Sequence, residues 1–273
     1  MLHALLAVAV ASPPLRPTSK WHVDFADSQC IASRDYGTPG EPLFLVLKAP
    51  PVGDVVQIAV IRNGSLREPD QIAGEILFDE HSAIRTNFLE YGVKKLGQRA
   101  LMMNLMTTDL SPMRKASTIR IRTRPEDPKH GLPKPRSQTD LTFISSDVPQ
   151  VMDLLKECAA DLREVWNVWD ENHDSVTLKK GPSGDIQRLF SGADYPAAAQ
   201  MRDQSGTTTL EILIDETGKV ADCTVTETSG AASIDAQSCA ILRERGKFRP
   251  AIGLDGKPAK SAWSQSITWR LEP

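Results

Sequence analysis

Residues 206–230, "GTTTLEILIDETGKVADCTVTETSG", decide the fold of the C-terminal part of the chain. Apolar and polar side chains alternate on both sides of the turn sequence Glu216-Thr217-Gly218, and this alternation is the period of half-buried strands. The apolar positions that share one face are Leu210, Ile212, Ile214, Ala221, Cys223 and Val225. A turn of this composition between two alternating runs predicts a β-hairpin.

Helices and one more strand flank the predicted hairpin. Before it, "YPAAAQMRD" (195–203) predicts a short helix with Pro196 in its first turn, where the missing N–H leaves no helical bond unmade. After it, "SIDAQSCAILRER" (233–245) predicts a helix, and "KSAWSQSITWRL" (260–271) alternates like a strand. The inward positions are Ile234, Cys239, Ile241 and Leu242 on the helix, and Trp263, Ile267, Trp269 and Leu271 on the strand. The order of elements predicts a small two-layer α/β domain.

Six segments in this region follow the order of motifs in a known family. They are "YPAAA", "GTTTLEILIDETGKV", "TETSGAASID", "FRPA", "DGKPAK" and "SITWRL", and they lie between Tyr195 and Leu271. In this order they resemble the C-terminal domain of TonB-type energy transducers. The resemblance implies a periplasmic domain that captures the TonB-box peptide of an outer-membrane transporter by strand addition beside the last strand. It implies no cofactor.

The resemblance also suggests which residues contact the partner. The candidates are the Tyr-Pro pair and the residues that alternate outward on the last strand: Tyr195, Pro196, Ala262, Ser264, Ser266, Thr268 and Arg270. An open strand presents unpaired N–H and C=O groups that an extended peptide can bind. The alternative is that residues 260–270 form only a capped edge.

Family members couple to an inner-membrane proton motor through an N-terminal membrane helix and a long Pro-Lys or Pro-Glu spacer. The sequence contains neither pattern, and Gly192-Ala193-Asp194 stands where the family often has glutamine. We therefore expect peptide capture from this chain, without energy transduction by the chain alone. Inner-membrane motor proteins remain a further possible partner.

The N-terminus, "MLHALLAVAVASPPLRP", predicts an export signal over residues 1–11. An apolar run ends in Ala9-Val10-Ala11, which has the small-x-small form of a cleavage site, although no Lys or Arg precedes it. The alternative is a disordered apolar N-terminus. The run is too short for a membrane span, which needs about 20 apolar residues. We expect an exported periplasmic protein.

Export affects how the four cysteines are interpreted. An even number in an exported chain favours disulfides, and four cysteines allow three pairings. Cys223 and Cys239 flank a strand, a turn and the start of a helix, which can fold back to bring them within bonding distance. That pairing leaves Cys30 with Cys158. The alternative is four free buried thiols.

The rest of the chain predicts a second, β-rich domain over residues 20–168. Short alternating runs are separated by Gly and Pro: "PLFLVLKAP", "DVVQIAVIRNG", "AGEILFD", "RALMMNLMTTD", "STIRIRTRP" and "TDLTFIS". A helix follows, with one apolar stripe made of Val151, Leu154, Leu155, Cys158, Leu162, Val165 and Trp166. Residues 169–188 are polar and Gly/Pro-containing and predict a linker to the TonB-like domain at 189–273. The fold class is α+β.

Composition and motifs exclude several functions. A formal net charge of −3 gives no basic field for nucleic acid. Neither a catalytic motif nor a metal-ligand spacing occurs. The basic run from Arg114 to Arg136 fits an anion site or, better, the solvated face of a strand and a Pro-rich loop. We expect a binding protein and not an enzyme. The alternatives are an envelope enzyme with its active site in the N-terminal domain, revealed by a pocket of polar groups with shifted pKa, and a structural scaffold.

Overall fold

The computed structural model describes residues 13–66, 68–79, 83–93, 96–124, 138–168 and 178–271. The predicted export signal at 1–11 lies outside these residues. So do the acidic part of the predicted linker and most of the Pro-rich loop that follows the basic strand. The fold is α+β, as the sequence predicts, with a large curled sheet in the N-terminal unit and a small α/β C-terminal unit.

The N-terminal unit is built on one antiparallel nine-stranded sheet. Its strands are β1 (His22–Phe25), β2 (Cys30–Asp35), β3 (Leu43–Ala49), β4 (Val55–Asn63), β5 (Asp70–Phe78), β6 (Ile84–Val93), β7 (Gln98–Met106), β8 (Thr118–Thr123) and β9 (Asp140–Ile144). They lie in the order β1-β2-β3-β4-β7-β6-β5-β8-β9. Residues 15–18 connect the two ends of the sheet, since Leu15 pairs with Phe143 of β9 and Thr18 N donates to Asp35 O of β2. The sheet is therefore strongly curled.

One face of this sheet forms the main core, because every second residue of each strand turns the same way. Helix α1 (Val148–Val165) covers this face, and the disulfide between Cys30 of β2 and Cys158 of α1 joins the two layers. The predicted helical stripe is wrong at Leu154 and Val165, which are exposed. At 100° per residue these two positions lie about 70–90° from the centre of the buried face, and Met152 is buried instead.

The C-terminal unit has the predicted element order with short additions. Its elements are β10 (Leu178–Lys180), α2 (Ala197–Gln200), β11 (Gly206–Ile214), β12 (Val220–Glu227), α3 (Ala232–Arg245), β13 (Ala251–Gly253), β14 (Pro258–Ala259) and β15 (Ser261–Trp269). The hairpin β11–β12 turns at Gly218, whose φ of 83° favours glycine. One sheet has the order β12-β11-β15 and carries α3 on one face, while β10, β13 and β14 form a second small sheet.

The second disulfide joins the two layers of the C-terminal unit. Cys223 of β12 bonds to Cys239 of α3, with their Cα atoms 5.6 Å apart. Both predicted pairs are therefore present. The inward helix positions Ile234, Ile241 and Leu242 are also buried, which agrees with the sequence prediction.

Part of the predicted linker is packed on the C-terminal unit. Within residues 169–188, β10 pairs with β13, and Ser183 pairs with Arg249. Ile186 is buried in the same apolar cluster as Leu242. The segment from 178 to 188 thus belongs structurally to the C-terminal unit, since short β-bridges and one apolar anchor hold it there.

The two units are in contact. Val52 and Trp166 of the N-terminal unit pack against Leu213 of β11 in a small apolar cluster. Polar contacts join the two units at other points: Asn104 Nδ2 donates to Val225 O at 3.0 Å, and Arg202 pairs with Asp70 at 3.0 Å. The C-terminal unit therefore lies on the face of the nine-stranded sheet that α1 does not cover.

Candidate functional site

Strand β15 has one side free for a partner. It pairs with β11 along its whole length, from Ser261 opposite Ile214 to Trp269 opposite Gly206. Among the described residues no strand pairs with its other side. A strand in this position presents main-chain N–H and C=O groups at the sheet edge, which an extended peptide can bind.

The outward side chains of β15 form a polar ladder with β11. Thr268 Oγ1 lies 2.9 Å from Thr207 Oγ1, and Ser266 Oγ lies 3.1 Å from Thr209 Oγ1. The exposed residues in this row are Ser264, Ser266 and Thr268, with Arg270 directly after the strand. These four predicted contact residues are therefore accessible, and the hydroxyls of Ser266 and Thr268 also stabilise the pairing of β15 with β11.

The inward tryptophans of β15 face the layer that contains α3. Trp269 Nε1 donates to Ser238 Oγ of α3 at 2.9 Å, and Trp263 packs edge-on against Phe248 at 5.4 Å between ring centres. Trp269 is buried, whereas Trp263 is only half-buried. Both rings fix the strand to the core and leave its edge free.

The predicted Tyr-Pro pair supports the strand from inside. The Tyr195 ring meets Trp269 edge-on at 5.4 Å, and its hydroxyl donates to Gln204 O at 2.6 Å. Pro196 precedes α2 as its N-cap. The Tyr195 side chain thus orders the end of β15, which is a packing role that the structure adds to the predicted binding role.

The N-terminal unit covers the start of the β15 edge. Asn167 Nδ2 donates to Lys260 O at 2.8 Å, and the Lys260 ammonium lies 5.0 Å from the centre of the Trp166 ring. Ala262 packs against the same apolar cluster as Trp166. A peptide beside β15 would therefore have free access only beyond residue 262. The sequence predicts Trp166 as part of the apolar stripe of α1 and does not indicate this contact.

A cavity of about 600 Å³ lies between the two units. Its walls come from the free face of the nine-stranded sheet and from β12 and α3 of the C-terminal unit. Polar side chains of both units line it, including Lys48, Gln57, Gln71, Asn104 and Arg243. Sequence reasoning missed this site, because its residues come from strands far apart in the chain.

Two buried amide oxygens of the cavity wall have no hydrogen-bond partner among the described residues. They are Gln71 Oε1 and Asn104 Oδ1. A buried acceptor without a partner destabilises a fold by about 1–3 kcal/mol. Such groups are rare in native proteins and are usually satisfied by an ordered water, an ion or a bound molecule.

Charged groups of the cavity lie close to one another. Arg243 Nη2 donates to Asp222 Oδ1 at 2.6 Å. Burial lowers the pKa of Lys48, which the nearby Asp222 carboxylate opposes. Burial also raises the pKa of Tyr91, so its hydroxyl is a neutral donor at physiological pH.

The basic residues of β8 and of the turn before it make ion pairs. Arg120 binds Asp140 through two bonds of 2.8 Å, Arg122 pairs with Glu75, and Arg114 pairs with Asp153 at 2.7 Å. This arrangement agrees with a solvated strand face rather than an anion site.

Among the described residues no group of His, Cys, Asp and Glu side chains could hold a metal ion, and no helix there is both long and apolar enough to cross a membrane.

Comparison with known proteins identifies one part of the chain. Residues 191–271 match the family model described as Gram-negative bacterial TonB protein C-terminal. The C-terminal unit is a TonB-like domain. The match covers 81 of the 273 residues of the chain. No curated protein and no solved structure matched the chain.

Proposed function

We propose that the TonB-like domain binds an extended peptide of an outer-membrane TonB-dependent transporter as an added strand beside β15. The observation that carries the proposal is the unpaired side of β15 within the described residues, at the place where the family resemblance puts the partner. Main-chain hydrogen bonds would supply most of the affinity. The exposed residues from Ser264 to Arg270 would supply the side-chain contacts.

The first test changes the main chain of β15 at an exposed position. Ser266→Pro removes one backbone donor and bends the strand, so we expect it to weaken binding of a TonB-box peptide about tenfold or more. Ser266→Ala keeps the main chain and should bind within about threefold of the wild type, since a single exposed hydrogen bond contributes little. Calorimetric titration measures both affinities, and circular dichroism confirms that each variant is folded.

A second probe leaves the protein unchanged. The same peptide is N-methylated at alternate residues, in each of the two registers, and titrated into the wild-type chain. Because the hydrogen-bonding groups of an antiparallel strand alternate in direction, one register should lose binding and the other should retain it. Equal affinity for both methylated peptides and the unmodified peptide would show that the partner does not bind by strand addition.

The same reasoning supports a periplasmic location. The TonB-like domain acts at the cell envelope in its family, and two disulfides suit an oxidising compartment. Removal of residues 1–11 on export and a contact with inner-membrane motor proteins belong to this proposal.

An envelope enzyme is the second candidate, because the cavity between the units brings together polar groups with shifted pKa. The described lining has no histidine, and both of its cysteines form a disulfide, which favours binding over catalysis.

A further inference from the structure

The cavity between the two units has the size and position of a small-molecule site. Its volume of about 600 Å³ falls within the range of ligand pockets, about 300–1,000 Å³, and such pockets are common where domains meet. Its walls combine side chains of the sheet with Asp222 and Arg243 of the TonB-like domain. It is separate from the β15 edge, because β12 and α3 form its roof while β15 lies on the other side of β11.

The sheet places the polar groups of the cavity in two neighbouring rows. Lys48 lies opposite Gln57, and Gln57 lies opposite Asn104, so these three side chains stand side by side on β3, β4 and β7. In the next row, Gln71 of β5 lies opposite Leu89, and Leu89 lies opposite Met102. The residues with the two unpaired amide oxygens, Gln71 and Asn104, are therefore about 12 Å apart between their Cα atoms. This distance follows from two strand spacings across the sheet and a step of two residues along a strand.

The cavity offers a ligand two kinds of polar group. Gln71 Oε1 and Asn104 Oδ1 need N–H or O–H donors. At the other end, the two cations Lys48 and Arg243 are balanced by the carboxylates of Asp222 and Asp235. Arg243 bonds to Asp222 Oδ1 and Cys223 O through Nη2 alone, which leaves Lys48 and the other guanidinium N–H groups to bind a ligand carboxylate. The thioethers of Met102 and Met106 line the cavity and can adapt to apolar groups of different shape.

We propose that this cavity binds a short peptide of about three residues, with its C-terminal carboxylate at Lys48 and Arg243 and its amide N–H groups at Asn104 and Gln71. The length follows from the spacing of the strands. Lys48 and Gln71 are four strands apart, about 19 Å between Cα atoms, and their long side chains reduce this gap to roughly the 10 Å that three extended residues span.

The test uses trialanine and trialanine amide with the full chain. Calorimetric titration should show binding of the free acid and at least tenfold weaker binding of the amide, because the amide lacks the carboxylate. Lys48→Met should weaken the free acid by a similar factor and remove most of the difference between the two probes. The comparison of the two probes on the wild-type chain holds even if this variant does not fold.

Gln71→Met tests the other end of the cavity. It should weaken trialanine about tenfold while its thermal midpoint stays equal to or above that of the wild type, because the change removes an orphaned buried acceptor. Gln98→Met, on β7 and outside the cavity, should leave both quantities unchanged. Binding of a TonB-box peptide at β15 should persist in Gln71→Met, which separates this proposal from the function proposed above. Three results would overturn the proposal of a peptide site in the cavity: no binding of trialanine at about 10 mM, equal affinity for both probes, or undiminished binding in Gln71→Met.

Discussion

Trp269 is the side chain that fixes the last strand of the TonB-like domain to its helical layer. Its ring is buried and meets Phe190 and Tyr195 edge-on at 5.6 and 5.4 Å, and its indole N–H donates to Ser238. All these contacts lie on the inner face of β15. The residue therefore affects a peptide at the edge only through the position of the strand.

Trp269→Ala should lower the free energy of unfolding by about 3–5 kcal/mol, because it leaves a cavity in the core. Urea denaturation followed by circular dichroism measures this loss. Thr268→Ala, at the exposed neighbouring position, is the control and should change stability by less than about 0.5 kcal/mol. Trp263→Ala should lower the free energy of unfolding by less than Trp269→Ala, because Trp263 is only half-buried. Similar small losses for both tryptophans would contradict this view of the strand.

Asp194 should make the stability of the chain depend on pH in the acid range. Two hydrogen bonds from Arg245, at 2.9 and 2.7 Å, hold the pKa of this carboxyl well below its usual range, and Ser191 adds to the effect. Because the folded pKa is lowered, the unfolded chain binds more protons as the pH falls. The stability that this group contributes is thus present above about pH 4 and lost below it.

Asp194→Asn should therefore reduce the slope of unfolding free energy against pH between about pH 5 and pH 2. Urea titrations at several pH values measure the slope. Glu216→Gln, at the exposed hairpin turn, should keep the wild-type slope. An unchanged slope in Asp194→Asn would mean that this carboxylate is not held by Arg245 in solution.

The elements of the TonB-like domain are joined across its two layers by a disulfide. Cys223 of β12 and Cys239 of α3 close a loop with a sequence separation of 16. A loop of this size stabilises by about 3 kcal/mol in the chain-entropy model. The domain has a small core, so a cross-link of this strength is a large part of its stability.

Replacing both Cys223 and Cys239 by serine should lower the unfolding free energy by about 3 kcal/mol, and dithiothreitol should cause a larger loss in the wild type, because it also reduces Cys30–Cys158. Non-reducing mass spectrometry of the protein from the periplasmic fraction should find this pair and the pair Cys30–Cys158. Four thiols open to alkylation in that material would contradict both pairings.

At the scale of the whole molecule, Trp166 connects the two units. Its ring is buried against Val52 and Leu213, its N–H donates to Asp27 O at 2.8 Å, and Lys260 lies over its face. Because these contacts come from both units, the ring holds the TonB-like domain on the sheet. It also keeps the start of the β15 edge covered.

Trp166→Ala should let the two units unfold separately. Calorimetry should then show two transitions where the wild type shows one, and limited proteolysis should cut between residues 168 and 178. Val165→Ala changes the exposed neighbour of Trp166 and should behave like the wild type. A single transition at the wild-type temperature in Trp166→Ala would show that the packing around Trp166 does not couple the units.

The sequence by itself determined most local elements of this protein and most of their inner positions, although Leu154, Val165 and Ala221, all predicted to face inward, are exposed. The hairpin of β11 and β12, the buried face of α3 and the alternation of β15 follow from hydrophobic periods of two and 3.6 residues, which depend only on neighbours in the chain. The disulfide Cys223–Cys239 follows from the same local geometry. The motif order was sufficient for the resemblance that the family match at 191–271 later confirmed.

Only the tertiary structure decided how these elements meet. The order of the nine strands, the docking of 178–188 on the C-terminal unit and the position of Trp166 depend on contacts between distant residues, for which no local period exists. The same holds for Gln71 and Asn104, which look like ordinary strand residues until the TonB-like domain covers them. A hydrogen-bonding group becomes an unpaired acceptor only when folding removes its water. Burial by another unit is therefore what leaves Gln71 and Asn104 with unpaired acceptors.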